Sequence, residues 1–190
     1  MTAGAPPEVT VLRLGHRPGR DERITTHVGL TARALGADRV VFAGAAASRA
    51  DTVVDITDRF GGPFEVETTE EPKRWIREFD GTVVHLTMYG EPIQTVEDEI
   101  RSAGTSEPVL AVVGAEKVPF EVYERADYNV GVTNQPHSEI ASLAVFLDRL
   151  FEGAELDREW EDPEQVVVPM ETGKRVVDPE DAGASGSDSE

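Results

Sequence analysis

The chain has 190 residues, 39% of them hydrophobic, which is enough to bury the core of one domain. It contains no cysteine, so disulfides and thiolate chemistry are excluded. Its 37 acidic and 18 basic side chains give a net charge of −19, whereas a nucleic-acid-binding domain is usually basic. Only three of the basic residues are lysines, and we interpret the acidic, lysine-poor composition as an adaptation of a halophile to high salt.

Several classes of protein can be set aside next. No apolar run approaches the roughly 20 residues of a membrane helix, and the N-terminal MTAGAPPEV lacks the basic and apolar regions of a secretory signal. We therefore expect a cytoplasmic protein with no membrane partner. The four histidines form no i, i+4 pair, so no metal site is predicted. The glycine signatures of nicotinamide and Walker A sites and the serine-hydrolase elbow are absent as well.

Strands and helices alternate through the first part of the chain. After a tail predicted to be disordered at 1–8, the pattern predicts strands at 9–14, 39–43, 64–68 and 83–86, and helices from 23 to Gly36, at 51–60, at 72–79 and at 96–101. This alternation is typical of an α/β fold in which a parallel sheet carries helices on both faces. We place this domain at residues 9–151.

The character of the sequence changes after Gly153. The stretch EGAELDREWEDPE is acidic and predicts a surface linker. The segments 165–170 and 174–177 flank a glycine-containing turn, which predicts a C-terminal β-hairpin within an extension at 152–178. The acidic, low-complexity residues 179–190 are predicted to be disordered.

The stretch from 109 to 150 carries two polar loops. A buried strand at 109–113 leads into the loop 114–118, and Pro119 begins a short helix. A strand at 128–132 leads into the loop 133–138 and then into a helix from Ser138 to Leu150. We expect the two strands to be neighbours, with both loops at the carboxyl edge where open α/β sheets bind ligands. From the spacing alone, the glycine and prolines fit turn formation equally well.

A second feature is a cluster of arginines near the N-terminus. Five arginines (Arg13, Arg17, Arg20, Arg23 and Arg33) face only Asp21 and Glu22 as nearby acids in the sequence. A guanidinium matches the oxygens of a phosphate, so the cluster indicates contact with RNA phosphates. An ordinary solvated surface explains it too.

Four strings together resemble one family. LRLGHRPGRDERITTHVGLTARALGAD, HLTMYGEPI, GAEKVP and NQPHSE occur in the order found in the archaeal tRNA cytidine 2′-O-methyltransferases of the SPOUT superfamily. The resemblance covers residues 9–151. It implies a deep trefoil knot in the C-terminal half of the domain, S-adenosylmethionine as the cofactor, a homodimer, and methylation of the 2′-hydroxyl of cytidine 56 in the T loop of tRNA.

The resemblance also implies site residues. The predicted cofactor contacts are Leu86, Gly114, Ala115, Glu116, Lys117, Val118, Val132, Thr133, Asn134, Gln135, Pro136, His137, Ser138 and Glu139. An arginine of the first motif lies near the reacting hydroxyl in the superfamily, and here we favour Arg23, then Arg20, with Arg33 as a third candidate. Arg13, Arg17, Arg20 and Arg23 are predicted to contact RNA.

Two other functions fit the same sequence. One is a catalytically inactive tRNA-binding protein that keeps the knotted fold. The other is a flavodoxin-like, nucleotide-binding α/β protein that has no connection with RNA. A methyl-transfer assay separates the first from an enzyme, and dialysis against FMN, NAD and S-adenosylmethionine separates the second.

Overall fold

The computed structural model describes residues 6–114 and 117–182, and within them six strands form one parallel sheet. These strands are β1 (Val9–Leu14), β2 (Arg39–Ala43), β3 (Glu65–Thr69), β4 (Thr82–Pro92), β5 (Val109–Gly114) and β6 (Tyr128–Gly131). The helices are α1 (Glu22–Ala34), α2 (Ala50–Phe60), α3 (Pro72–Glu78), α4 (Ile93–Gly104), α5 (Phe120–Arg125), α6 (Glu139–Phe151) and α7 (Pro179–Ala182). A separate antiparallel hairpin consists of β7 (Val166–Val168) and β8 (Arg175–Val177).

Helices cover both faces of the sheet, as the alternating pattern predicts. The larger apolar cluster joins one face of the sheet to α1, α2, α4 and α6, and a smaller cluster joins the other face to α3 and α5. β1 and β5 lie in the middle of the sheet, and their valine-rich runs are buried from end to end. Continuous apolar runs of this kind are what a parallel sheet covered on both sides requires. The predicted α/β class is therefore confirmed.

The order of the strands differs from the prediction in one respect. The sheet runs β3-β2-β1-β5-β4-β6, so β4 lies between β5 and β6. The strands before the two polar loops follow each other along the chain, but they are not neighbours in the sheet, and that expectation was wrong. Since all six strands are parallel, the loops after β4, β5 and β6 still meet at one edge.

The C-terminal extension packs against the sheet domain before it forms the hairpin. A 3₁₀ helix at Ala154–Asp157 follows α6, and Gly62 and Glu161 form an isolated antiparallel bridge. Arg33 lies over the ring of Trp160 at 4.1 Å from its centroid. The predicted hairpin is confirmed. Residues 179–182 of the segment predicted to be disordered form the single turn α7.

No helix in the described part of the chain is long and apolar enough to cross a membrane.

Candidate functional site

A cleft of about 410 Å³ opens at the carboxyl edge of the sheet, within the size range of small-molecule sites. It is lined by the end of β4, the start of the loop after β5, one side chain of α5 and the beginning of α6. The lining residues are His85, Leu86, Thr87, Met88, Tyr89, Gly114, Lys117, Val118, Tyr123, His137, Glu139 and Ser142.

A larger cleft of about 670 Å³ lies at the opposite edge, where β2 and β3 begin. Its walls include Asp38, Arg39, Glu65 and Glu155. Ligands of open α/β sheets bind beyond the carboxyl ends of the strands. The smaller cleft is therefore the candidate site.

The end of β4 is irregular where it forms the cleft. β4 extends six residues beyond the predicted end at Leu86, to Pro92. Both Leu86 and Glu91 pair with Val130 of β6, so the residues between them form a wide bulge. Asn134, in the loop after β6, donates from Nδ2 to the backbone oxygens of Met88 (2.7 Å) and Gly90 (2.9 Å). Bulges commonly re-aim side chains next to functional sites, and this one directs residues 87–89 into the cleft.

Two glycines allow the close backbone approach at this edge. A Cβ on Gly90 would lie 2.4 Å from the backbone of Asn129, and a Cβ on Gly114 would lie 2.2 Å from Cγ2 of Val118. Only glycine fits such spaces without displacement of its neighbours. The strings TMYG and GAEKV therefore need glycine, because the chain at the ends of β4 and β5 passes very close to neighbouring residues.

The start of α6 brings a carboxylate to the cleft. Ser138 caps the helix through Oγ, which accepts from the N–H of Ala141 at 3.2 Å. Glu139 follows, and its Oε1 lies 3.5 Å from Nη1 of Arg13 at the end of β1. Arg13 is fully buried, and its Nε and Nη2 have no hydrogen-bond partner. Burial lowers the pKa of Arg13, and the charge of Glu139 offsets part of that effect.

His85 heads a polar network across three elements of the site. Its Nδ1 lies 2.9 Å from Oδ1 of Asn129, whose Nδ2 donates to the backbone oxygen of Tyr123 at 2.9 Å. The hydroxyl of Tyr123 lies 3.2 Å from Oγ1 of Thr87. Because Asn129 uses its amide N–H on Tyr123, it presents an acceptor to His85, which therefore carries a proton on Nδ1. Burial lowers the pKa of His85, and the bond to Asn129 raises it in part.

The sequence predicts only one of the two features of His85. The expected core hydrogen bond is present at Nδ1, but Nε2 is buried without a partner and the ring lines the cleft. His137, in the loop before α6, also lines the cleft and has a buried Nε2 with no partner. Unpartnered polar atoms that are buried beside a cleft indicate groups that a ligand can satisfy.

The arginine cluster divides into different environments. Arg20 and Arg23 are exposed, in the loop before α1 and in its first turn. Arg17 binds Asp21 through Nε and Nη2, each at 2.9 Å, and this pairing lowers the pKa of Asp21 to about 2. The charge of Asp21 also acts on Arg13. Asp21, just before α1, therefore lies within electrostatic reach of the Arg13–Glu139 pair, and Glu139 lines the cleft.

Two of the predicted arginine roles do not suit the structure. Arg13 is predicted to contact RNA, but its guanidinium is closed off from the surface. Arg33 is the third candidate for catalysis, but it lies at the far end of α1, about 15 Å along the helix axis from Arg23. Its Nη2 donates to the backbone oxygen of Gly61 at 2.5 Å, and its guanidinium packs on Trp160. Burial lowers the pKa of Arg33. Both side chains therefore hold parts of the fold together.

The predicted cofactor residues fall into three groups. The cleft is lined by Leu86, Gly114, Lys117, Val118, His137 and Glu139. The loop between β6 and α6 supplies others that do not line it, namely Val132, Thr133, Asn134, Gln135, Pro136 and Ser138. Ala115 and Glu116 lie outside the described residues.

Sequence reasoning missed several residues that line the cleft: His85, Thr87, Met88, Tyr89, Tyr123 and Ser142. The first four belong to the string HLTMYG, which follows a predicted strand, so that string was an available signal. Tyr123 had none, because only the pairing of β4 with β6 brings it to the site through Asn129. No group of metal-ligating side chains occurs among the residues described by the structure.

Solved structures with the same architecture define the fold class. An RNA 2′-O ribose methyltransferase matches with a TM-score of 0.57 at 18% identity over 81% of this chain, which spans 59% of that chain. The TrmH/SpoU tRNA modifying enzyme of A. aeolicus matches with a TM-score of 0.53 at 16% identity, over 79% of this chain and 76% of that one. An AdoMet-bound rRNA methyltransferase from Sinorhizobium meliloti gives 0.50 at 18% identity, over 79% and 57%. The chain thus has the SPOUT fold of the SpoU and TrmH methyltransferases.

Sequence relatives identify the family within this fold. Residues 60–177 match the family model described as tRNA ribose 2′-O-methyltransferase, aTrm56. The tRNA (cytidine(56)-2′-O)-methyltransferase of Haloarcula marismortui is 79% identical over 92% of this chain and 97% of its own length. The enzymes of the same name from Natronomonas pharaonis and Thermococcus kodakarensis are 75% and 53% identical, each over 89% of this chain and over 94% and 96% of their own lengths. The chain belongs to the aTrm56 family of tRNA ribose 2′-O-methyltransferases.

Proposed function

We propose that this chain transfers the methyl group of S-adenosylmethionine to the ribose 2′-hydroxyl of cytidine 56 in the T loop of tRNA. The observation that carries the proposal is the 79% identity to an enzyme named for this reaction, over nearly the full length of both chains. The cleft supports it, because it lies at the sheet edge where the family strings HLTMYG, GAEKV and PHSE come together.

The residues of the cleft suit S-adenosylmethionine. Leu86 and Val118 offer apolar walls for a nucleoside, and the backbone at Gly114 can approach it closely. The carboxylate of Glu139 complements a cation, and the cofactor carries both a sulfonium and an ammonium group. The unpartnered nitrogens of His85 and His137 can take up the polar edges of a ligand. When bound, S-adenosylmethionine supplies an electrophilic methyl group.

The exposed arginines at the start of α1 suit the RNA side of the reaction. Arg23 and Arg20 hold phosphates and favour loss of the proton from the ribose hydroxyl by electrostatic attraction. Neither acts as the base, because a guanidinium does not give up its proton in proteins. Methyl transfer requires the hydroxyl to be held in line with the methyl group, and this positioning is the main task of the site.

We further propose that residues 132–139 thread through the crossing beside β4, which makes the fold a trefoil knot. Asn134 supports this, because it reaches back to two backbone oxygens of β4. We also propose a homodimer built on the groove between α1 and α6, which the half-buried Leu30, Leu35 and Ala144 line. Sedimentation of Ala144→Arg tests the dimer, and a mass unchanged from that of the wild type would contradict this interface.

The proposal keeps the domain boundaries predicted above, with the methyltransferase domain at 9–151 and the extension at 152–178. It places the protein in the cytoplasm, where tRNA is modified.

The deciding experiment maps the modification. We expect tRNA incubated with the protein and radiolabelled S-adenosylmethionine to carry label on the 2′-oxygen of cytidine 56. Label at another nucleotide or on a base would contradict the proposed target, and no label at all would contradict the activity.

The role of the arginines needs its own variants. We expect Arg23→Ala and Arg20→Ala to lose methyl transfer and tRNA affinity while they keep affinity for S-adenosylmethionine. Arg59→Ala is the matched control, because Arg59 is an exposed arginine at the end of α2, away from the α1 cluster and from the cleft. If both Arg23→Ala and Arg20→Ala transfer methyl groups and bind tRNA as well as the wild type does, the proposed role of these arginines is contradicted.

A further inference from the structure

Two aromatic rings stand out from the surface at the rim of the cleft. Tyr89 is 76% exposed and lines the cleft, and Phe120 is 73% exposed at the start of α5. Phe120 stacks on Tyr123, with ring centroids 6.3 Å apart and planes 20° from parallel, and Tyr123 lines the cleft in turn. Large apolar rings at this exposure are informative when they cluster at a site.

The backbone beneath Tyr89 is firmly held. Tyr89 lies in the bulge of β4, between the two backbone oxygens that accept from Asn134. Its own N–H donates to Oγ1 of Thr87 at 3.4 Å, and Gly90 is in close contact with the backbone of Asn129. Because the backbone is held, binding of a flat partner has only the side-chain torsions of the ring left to order.

We propose that Tyr89 and Phe120 form a stacking platform for unpaired nucleobases that flank the target ribose in the tRNA loop. The inference rests on the proposed function, since the target ribose must reach the cleft and its neighbours in the loop must then pass the rim. Proteins recognise single-stranded RNA loops chiefly by stacking splayed bases on aromatic side chains. Each base has a flat face, so this platform grips the loop without reading its sequence.

The charge of the chain favours stacking over phosphate contacts as the main source of affinity. With a net charge of −19, the chain repels RNA at long range, and Arg13 and Arg17 are paired with Glu139 and Asp21. Phosphate contacts weaken steeply as salt rises, because they depend on the release of counterions. Base stacking has no such dependence. The platform therefore supplies affinity that persists at the salt concentrations to which an acidic surface is suited.

The test compares variants of the two rings with a matched control. Tyr89→Ala and Phe120→Ala remove one ring each, and Tyr89→Phe keeps the ring without its hydroxyl. Leu156→Ala is the control, because Leu156 is 68% exposed in the 3₁₀ turn next to the cleft at the opposite sheet edge. Fluorescence anisotropy gives the tRNA affinity in dilute and in molar KCl, and calorimetry gives the affinity for S-adenosylmethionine.

We expect each alanine variant to bind tRNA about 5- to 150-fold more weakly than the wild type, at both salt concentrations. Tyr89→Phe and Leu156→Ala keep the tRNA affinity, and Phe120→Ala and Leu156→Ala, whose side chains do not line the cleft, keep the affinity for S-adenosylmethionine. Unchanged tRNA affinity in both alanine variants of an enzyme that methylates tRNA overturns the platform and leaves the proposed function intact. A lost affinity that coincides with dissociation of a dimer assigns the rings to a contact between copies and also overturns it. Absence of methyl transfer by the wild type overturns the proposed function itself.

Discussion

Replacement of Glu139 by glutamine should destabilise the chain strongly, although it changes only one charge at the surface of the cleft. Arg13 is fully buried, and Glu139 is the carboxylate that pairs with it. In Glu139→Gln the guanidinium stays buried and charged without its paired carboxylate, and only the longer-range attraction of Asp21 remains. A buried cation that loses its partner pays the full cost of desolvation.

The magnitude follows from the geometry. At 3.5 Å and an effective dielectric constant of about 20, the attraction between the two charges is about 5 kcal/mol. Glu139 is 22% exposed, so water screens part of this attraction. We therefore expect the free energy of unfolding to fall by about 3 kcal/mol, the lower end of the range for broken buried pairs. For a chain of this size, that loss lowers the unfolding temperature by about 6–12 °C.

Urea unfolding followed by circular dichroism at constant KCl measures the effect. Arg13→Met/Glu139→Gln is the matched double variant, and it should regain most of the lost stability, because it removes the buried charge and two unpartnered nitrogens. A cost below about 1 kcal/mol for Glu139→Gln alone would refute the reasoning. It would mean that Arg13 reaches water or another carboxylate.

Three more changes test other parts of the site and fold. Arg17 lowers the pKa of Asp21 from 3.8 to about 2, so the stabilising effect of Asp21 is complete above pH 3.8 and is lost as the pH falls to about 2. The unfolding temperature of Asp21→Asn should therefore lie below that of the wild type at neutral pH and converge with it near pH 2. Gly114→Ala should weaken binding of S-adenosylmethionine about 10-fold in calorimetry, because its Cβ would lie 2.2 Å from Val118, and Val118→Ala in the same chain should restore part of it. Burial raises the pKa of Glu155, so the folded chain loses stability as the pH rises above 4.5; Glu155→Gln should raise the free energy of unfolding at neutral pH by about 1 kcal/mol in urea titrations, and a decrease would contradict this.

The parts of the fold that depend on local pattern could be predicted from the sequence. The buried run at 109–113 and the capping serine at 138 determine a strand and a helix start by themselves, and both lie as expected. The order of strands was not accessible in this way, because apolar runs of similar composition do not specify which neighbour each one pairs with. The placement of β4 between β5 and β6 therefore had to come from the structure.

The candidate site, too, could be predicted only in part from the sequence. The family strings located the loops, and six of the predicted cofactor residues line the cleft. The roles of single arginines were harder to assign, because charge alone does not distinguish a buried ion pair from a surface. For Arg13 a signal was present in the alternation of β1, since Val9, Val11 and Arg13 point to the same buried face. For Arg33 no signal was present, because its partner Trp160 lies in a segment that the sequence presents as a linker.

The position of Arg13 explains how two halves of the site come to act together. The arginine loop follows β1, and the helix with Glu139 lies 126 positions further along the chain, yet one ion pair joins them. Asn134 joins the loop after β6 to the bulge that carries Tyr89. The loop from β6 to α6 is thus held at both ends, by β4 at its start and by β1 at its finish. A cofactor in the cleft would contact Glu139 and Met88, one member of each anchor, so its binding should reduce amide exchange in the loop at 15–21 as well as in residues 132–139.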